Sequence, residues 1–209
     1  RSPYLGKNFS NEEIFNELSK QCKVNFSRIK EDDLIKRTVH YLIEGKLIGW
    51  FQGGAEFGPR ALGARSFLAD PRNDQIRDQI NQKIKKRELF RPFAPSTLKE
   101  TSKEFFDIDQ DSPYMNIVSQ VKNKKIPAVT HIDGTARVHT ISKDMHARYH
   151  KLISHFGEVT GIPVILNTSF NVQEPIVYSP KDAILTFINS KVDVLVIGDY
   201  IITREDLNY

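Results

Sequence analysis

The sequence predicts an α/β protein built around a mixed sheet, because amphipathic helical segments and short apolar segments alternate along the chain. Ile76, Ile80 and Ile84 recur every four residues, which is the spacing of one helix face. The apolar runs 47–51 and 192–197 have the length and composition of buried strands. The hydrophobic fraction of 39% and the charged fraction of 27% are those of an ordinary globular domain.

The first half of the chain begins with an extended lead-in, residues 1–9, followed by a helix that opens at a capping box of Ser10 and Glu13. The glycine-rich stretch 53–65 is expected to be a loop. The other elements predicted here are helices at 32–44 and 73–86, after a first helix at 11–21, and strands at 47–51, 66–69 and 93–98.

In the second half, Asp133-Gly134 predicts a hairpin turn between strands at 130–132 and 137–141. A polar loop is expected at 167–175 and a charged turn at 122–125. We expect residues 10–209 to form a single domain. The remaining elements predicted are strands at 114–121, 162–166, 192–197 and 200–203 and helices at 145–156 and 179–188.

Composition excludes several classes of protein. No apolar run reaches 18 residues, so no membrane span is expected. The one cysteine, Cys22, can form neither an internal disulfide nor a metal-binding cysteine cluster, which favours a reducing, cytoplasmic location. The net charge of +4 suits anionic ligands, although the total does not identify their size.

The first stretch that carries chemistry is 53–65, which directly follows an apolar strand. Four of its residues 53–63 are glycine, so the backbone can approach a ligand closely and expose its amides. Arg60 and Arg65 can grip phosphate oxygens through two parallel hydrogen bonds each. The alternative is a plain glycine-rich turn with two surface arginines.

The second stretch is 85–96, where a predicted helix ends in cations and the chain turns through two prolines. Cations at a helix C-terminus also complement the helix dipole, which is the simpler interpretation. However, Arg87 and Arg91 alternate with Phe90 and Phe93, and aromatic neighbours favour a half-buried site over a solvated face.

The third stretch is 131–137, in which the predicted hairpin turn carries Thr135 and Arg137. A single arginine just past such a turn is more often a surface residue than a ligand. His131 is equally consistent with a hydrogen-bonded strand residue. On its own, this stretch indicates a turn and no more.

The fourth stretch follows the apolar run 162–166 and contains Asn167, Ser169 and Asn171. Small polar residues at the C-terminal end of a strand lie where open α/β sheets bind their ligands. Their side chains can hold a ribose, a phosphate or a carbonyl group. The alternative role, capping of the next helix, is less favoured because that helix begins only near Ser179.

Together these four stretches resemble the C-terminal domain of the carbamoyltransferase family, which includes nodulation-factor and antibiotic O-carbamoyltransferases. The resemblance implies a YrdC-like fold, a twisted mixed α/β sheet with flanking helices around a basic cavity. It also implies conversion of ATP, with Mg²⁺, and carbamoyl phosphate to O-carbamoyl-adenylate, pyrophosphate and phosphate. A separate N-terminal domain would transfer the carbamoyl group. The resemblance is strongest at 56–72, 85–96, 131–138, 163–171 and 174–177.

The resemblance assigns catalytic roles to Lys85, Arg137 and Arg60, and Lys86 is an alternative to Lys85 because the register is open. It implies no metal ligands from this chain. In one loop, 171–175, the chain is one residue shorter than the family and lacks a glycine, so a different geometry is expected there. The resemblance and the residue patterns together select seven residues that would bind the substrate or the nucleotide. They are Arg65, Arg87, Arg91, Thr135, Asn167, Ser169 and Asn171.

Two other functions remain open at this stage. One is a basic RNA-binding module of the same fold, which arginines near aromatic residues allow. It is disfavoured because the basic residues are scattered among glycine and proline loops, so nucleic acid is not the expected partner. The other is a structural domain that docks on its N-terminal partner and binds no substrate.

Overall fold

The computed structural model describes residues 2–21 and 26–207, and Cys22 lies outside these described ranges. One mixed sheet of eight strands organises the chain, in the order β4-β5-β3-β6-β2-β1-β7-β8. The pairs β1–β7 and β3–β5 are parallel and the others antiparallel. The strands are β1 (Ile48–Phe51), β2 (Arg65–Ala69), β3 (Ala94–Leu98), β4 (Ile117–Gln120), β5 (Thr135–Ile141), β6 (Val164–Ser169), β7 (Val194–Ile197) and β8 (Tyr200–Thr203).

Helices cover both faces of the sheet. The helices α2 and α5 pack on one face, and α1, α3 and α6 on the other. None of the helices in the described ranges is long and apolar enough to cross a bilayer. The helices are α1 (Asn11–Gln21), α2 (Glu31–Ile43), α3 (Gln75–Gln79), α4 (Ser102–Phe105), α5 (Ala147–Thr160) and α6 (Pro180–Asn189), with a π-helical turn at Ile80–Lys85 and 3₁₀ turns at Lys99–Thr101 and Pro127–Val129.

The first half of strand β6, residues 164–166, is apolar because helices cover both faces of the sheet there. Its Ile165 packs in the cluster under α2 and α5, whereas Val164 and Leu166 pack in the cluster on the opposite face. Successive side chains point to opposite faces and both faces are covered, so residues 164–166 are all apolar, whereas residues 167–169 at the carboxyl end of the strand are polar. The predicted α/β class with a mixed sheet and flanking helices is confirmed.

The predicted hairpin around Asp133 is wrong. Residues 130–132 form no strand. They follow a 3₁₀ turn at Pro127–Val129, and His131 makes turn bonds: its N–H donates to the Thr135 carbonyl at 2.7 Å and its carbonyl accepts from Gly134 N–H at 3.0 Å. Both edges of β5 are already paired, with β4 on one side and β3 on the other. Along residues 135–138, where the predicted hairpin strand would pair, the partner is β4.

The helix predicted at 73–86 is divided. Its first part is α3, and Ile80–Lys85 form a π-helical turn that ends where Lys86 adopts a left-handed conformation with φ of 48°. Ile76, Ile80 and Ile84 still pack in one cluster, as their spacing predicted. The wider turn is common at functional sites, and here it buries Lys85.

Two further boundaries differ from prediction. The first three residues of the expected polar loop 167–175 continue β6, because Ser169 pairs with Ser66 of β2 and their backbone groups are thereby satisfied. The helix expected at 145–156 runs on to Thr160 and ends at Gly161, whose φ is 75°.

Gly63→Ala should destabilise the fold strongly. A Cβ at Gly63 would lie 2.2 Å from Cδ1 of the buried Tyr149, and its φ of 94° disfavours any side chain. Overpacking and left-handed strain together predict a loss of about 2–5 kcal/mol in unfolding free energy, measured by urea denaturation. Gly45→Ala is the matched control, since its φ is 76° but no atom lies within 4 Å. Equal losses in the two variants would contradict the packing argument.

Candidate functional site

The polar stretches meet where three strands have their ends at one edge of the sheet. Asn167, near the carboxyl end of β6, lies opposite Ala94 at the start of β3. Ser96 pairs with His139, so Ala94 is the neighbour of Arg137, near the start of β5. The sheet register therefore brings the β5 arginine and the β6 asparagine to the same place.

A cavity of about 230 Å³ opens at this edge, and four arginines line it. Apolar residues from 59–61, 92–94 and Met115 complete its wall, together with Asn167, Thr168 and Ser169. The structure thus gathers six of the residues selected from the sequence around one cavity. They are Arg60, Arg87, Arg91, Arg137, Asn167 and Ser169.

The electrostatics of this cavity favour an anion. None of the described residues that line it carries a carboxylate. Burial lowers the pKa of the Arg137 guanidinium, and the charge of Arg60 lowers it further. The Nε atom of Arg137 is buried and has no hydrogen-bond partner in the described part of the chain. Partly buried cations without counterions are costly, so a bound anion would stabilise the arrangement.

A buried asparagine holds the second arginine stretch in place. Asn81 is fully buried, and its Nδ2 donates to the carbonyls of Leu89 and Arg91 at 3.1 and 2.9 Å. Its Oδ1 accepts a 2.7 Å bond from Nε of Arg87. Burial lowers the pKa of Arg87, as does the charge of Arg91, whereas Glu88 opposes the shift. Sequence reasoning missed Asn81, which the residue pattern does not separate from its polar neighbours Gln82 and Lys83.

Lys85 lies behind the cavity wall, where only 4% of its surface is exposed. Its Nζ donates to the carbonyl oxygens of Ser169 and Asn171 at 2.7 and 2.8 Å. It also reaches Ser169 Oγ at 3.1 Å and Asn171 Oδ1 at 2.7 Å. Lys86 is exposed, so Lys85 is the lysine that the fold turns inward.

The charge on Lys85 reflects two opposing effects. Burial lowers the pKa of its amine to about 7, Arg87 acts in the same direction, and Glu174 opposes them. Four oxygen acceptors surround Nζ. They favour the charged form, because an ammonium donates three N–H groups to them and a neutral amine only two. The amine is therefore poised to exist in both forms near neutral pH.

Besides Lys85, three of the selected residues do not line the cavity. Arg65 is completely buried; its NH1 donates to the carbonyls of Gln52, Gly53 and Ala64 at 3.0–3.1 Å. Thr135 bonds to Asp133 and His131 within the turn before β5. Asn171 is engaged by Lys85. All three side chains hold neighbouring segments in place.

A larger cavity, about 570 Å³, lies at the carboxyl ends of the parallel strands β1 and β7. It contains Arg28 and Arg148, but both are paired with Asp199 at 2.8 and 2.9 Å. Arg148 also bonds to Glu31 at 3.1 Å. Because its cations are already neutralised, this cavity is a weaker anion site than the smaller one lined by four arginines.

The family follows from a comparison over most of the chain. A family model described as the carbamoyltransferase C-terminus matches residues 39–204. The chain belongs to the carbamoyltransferase family. The match includes all the arginines of the cavity and Lys85. The family resemblance drawn from the four sequence stretches is confirmed.

Relatives place this carbamoyltransferase domain within longer proteins. It is 48% identical over 180 residues to the nodulation protein NolNO of Sinorhizobium fredii (strain NBRC 101917 / NGR234), covering 83% of this chain and 26% of the relative. It is 38% identical to a 3'-hydroxymethylcephem-O-carbamoyltransferase of Amycolatopsis lactamdurans, covering 76% and 31% respectively. The chain thus spans about a quarter to a third of these relatives.

A solved structure shares the fold. Full-length HypF, in a form bound to phosphate and nucleotide, aligns with a TM-score of 0.53 at 20% sequence identity. The alignment covers 88% of this chain and 23% of that one. The YrdC-like fold expected from the sequence is confirmed.

Lys85→Met should remove a pH-dependent part of the stability. Burial lowers the folded-state pKa to about 7 from the ordinary 10.5, so between these values the unfolded chain binds more protons. The unfolding free energy contributed by Lys85 therefore rises with pH in this window, by at most about 1.4 kcal/mol per pH unit. Urea denaturation at several pH values should show that slope in the wild type and lose it in the variant.

The exposed neighbour provides the control for this measurement. Lys86→Met removes an amine of the same kind one residue away and should keep the wild-type dependence on pH. A Lys85→Met protein with the wild-type slope would show that the buried amine does not titrate in this window.

Proposed function

We propose that this carbamoyltransferase domain activates carbamoyl phosphate with ATP to form O-carbamoyl-adenylate. Water cleaves carbamoyl phosphate into carbamate and inorganic phosphate. A carbamate oxygen then attacks the α-phosphorus of ATP, the bond to the β-phosphate breaks, and pyrophosphate leaves. The products are carbamoyl-adenylate, pyrophosphate and phosphate.

The observation that carries the proposal is the cluster of four arginines without a carboxylate among the described residues that line its cavity. Attack of an anion on a polyphosphate is opposed by charge repulsion. Two unit charges about 4 Å apart repel by roughly 4 kcal/mol at an effective dielectric of 20. Several fixed cations are needed to offset this, and catalysis of phosphoryl transfer consists largely of such positioning and charge stabilisation.

The size of the cavity indicates which part of the substrates it takes. Its volume of about 230 Å³ is below the roughly 300–1,000 Å³ of pockets that enclose whole drug-sized ligands. It suits phosphate groups, with the adenosine extending from its mouth. Arg60 and Arg137 would bind phosphate oxygens, while Lys85 would orient Ser169 and Asn171 and supply positive charge behind them.

A magnesium ion would arrive with the nucleotide. The described residues include no group of three or more His, Cys, Asp or Glu side chains that could hold a metal ion. Mg²⁺ would be coordinated mainly by ATP phosphates and water, as it usually is in nucleotide sites. ATP as a substrate also accords with a cytoplasmic location.

The relatives support this assignment. One is named as an O-carbamoyltransferase of a cephem compound, and HypF was solved with phosphate and nucleotide bound. Because the chain spans only 26% and 31% of the two relatives, transfer to an acceptor hydroxyl would be carried out by a separate N-terminal domain. An RNA-binding role is less favoured, because the arginines converge in a small cavity rather than along an extended stripe.

Arg137→Ala should abolish pyrophosphate release from ATP and carbamoyl phosphate, lowering the rate by at least about 100-fold. The variant removes a half-buried guanidinium whose unpaired Nε needs an anionic partner. Arg37→Ala is the matched control, since Arg37 is exposed on α2 and does not line the cavity. Wild-type release by Arg137→Ala would remove this residue from the site, and absence of release by the wild type would refute the activity.

A further inference from the structure

Glu56, in the loop 53–65 that carries Arg60, directs its carboxylate to backbone amides. Oε1 of Glu56 accepts hydrogen bonds from three backbone N–H groups, those of Leu62, Ala64 and Arg65, at 2.7, 2.8 and 3.1 Å. Charge-assisted bonds of this kind are about twice as strong as those between neutral groups. The carboxylate therefore closes the loop between β1 and β2 on itself.

These bonds complete the backbone hydrogen bonding of residues 62–65. In this segment each N–H has an acceptor and each carbonyl a donor, and Glu56 supplies three of the acceptor contacts. The other partners come from four different parts of the fold. They are Tyr4 Oη to the Leu62 carbonyl, Gly63 N–H to Ser66 Oγ, Trp50 Nε1 to the Gly63 carbonyl, Gln52 N–H to the Ala64 carbonyl and Phe170 N–H to the Arg65 carbonyl.

The neighbouring segment on the N-terminal side differs from residues 62–65 in its exposure to solvent. Residues 57–60 are exposed, and they include Arg60, which lines the arginine cavity. Ala61, the next residue, also lines the cavity, and its carbonyl accepts a 3.0 Å bond from Asn167 Nδ2. The cavity wall formed by Arg60 and Ala61 therefore continues directly into the rigid segment that Glu56 holds.

A carboxylate so near an anion-binding cavity works against the ligand, since it weakens the positive potential of the arginines. It is compatible with that site because one of its oxygens is engaged by three amides and because it fixes the loop before a ligand arrives. Fixing the geometry in advance lowers the cost of binding.

We infer that Glu56 is a positioning residue, which holds the segment 62–65 so that Arg60 and Ala61 face the phosphate-binding cavity. Glu56 touches no substrate and acts through the loop. The ligand in this inference rests on the proposed function, whereas the loop-holding role concerns the free protein.

The test compares Glu56→Ala, Glu56→Gln and Asp182→Ala with the wild type. Glutamine keeps the shape and the acceptor oxygen but loses the charge. Asp182 is the matched control, because its Oδ2 also accepts from two backbone N–H groups and one hydroxyl, at the start of α6, and it does not line the cavity. Two quantities are measured: amide hydrogen exchange by NMR, and the affinity for inorganic pyrophosphate by calorimetry.

Glu56→Ala should exchange the amides of Leu62, Ala64 and Arg65 about tenfold faster or more and bind pyrophosphate about tenfold more weakly. Glu56→Gln should recover part of both losses. Asp182→Ala should match the wild type in both measurements, whatever its effect on the thermal unfolding temperature.

Each opposing result has its own meaning. Unchanged exchange in Glu56→Ala would refute the loop-holding role. Faster exchange with wild-type affinity, or equal weakening in Asp182→Ala, would refute a positioning role at the cavity. A wild-type protein that binds no pyrophosphate would overturn the proposed function and the ligand half of this inference, while the exchange data would still decide whether Glu56 holds the loop.

Discussion

The concentration of positive charge at one edge of the sheet is the constraint on which the rest of the site depends. Four arginines line a cavity that contains no carboxylate among its described residues. Such an arrangement opposes folding, because like charges repel and partly buried cations lose hydration. It persists only where the surrounding structure fixes it and where an anion can compensate for it. The sheet supplies the first condition by its register, which aligns the end of β6 with the starts of β3 and β5.

Polar groups behind the arginines supply the remaining rigidity. Asn81 ties the turn that carries Arg87 and Arg91 to the π-helical turn before it. Lys85, the last residue of the π-helical turn, joins this turn to the end of β6 by donating to four oxygen acceptors. Glu56 closes the first arginine loop. Each group satisfies backbone or side-chain atoms that would otherwise be unpaired, so the cavity is formed before a ligand enters.

Sequence patterns predicted the sheet class, since apolar periodicity reports which face of an element is buried. The meeting of the arginine stretches around a basic cavity was implied by the family resemblance. The sequence patterns failed where tertiary pairing decided the outcome. Residues 130–132 are not a strand; β4 instead pairs with residues 135–138 of β5. The roles of side chains were harder still. Arg65 and Arg60 look alike in the sequence, but one is buried over the ring of Phe51 at 3.6 Å and the other faces the cavity. Only the three-dimensional arrangement separates them.

The position of a bound anion tests the central claim most directly. A crystal structure of the protein with pyrophosphate should show the ligand in the 230 Å³ cavity, contacting guanidinium groups from at least two of the three arginine-bearing segments. Pyrophosphate density in the 570 Å³ cavity beside Arg28 and Arg148, with none among the four arginines, would contradict the account.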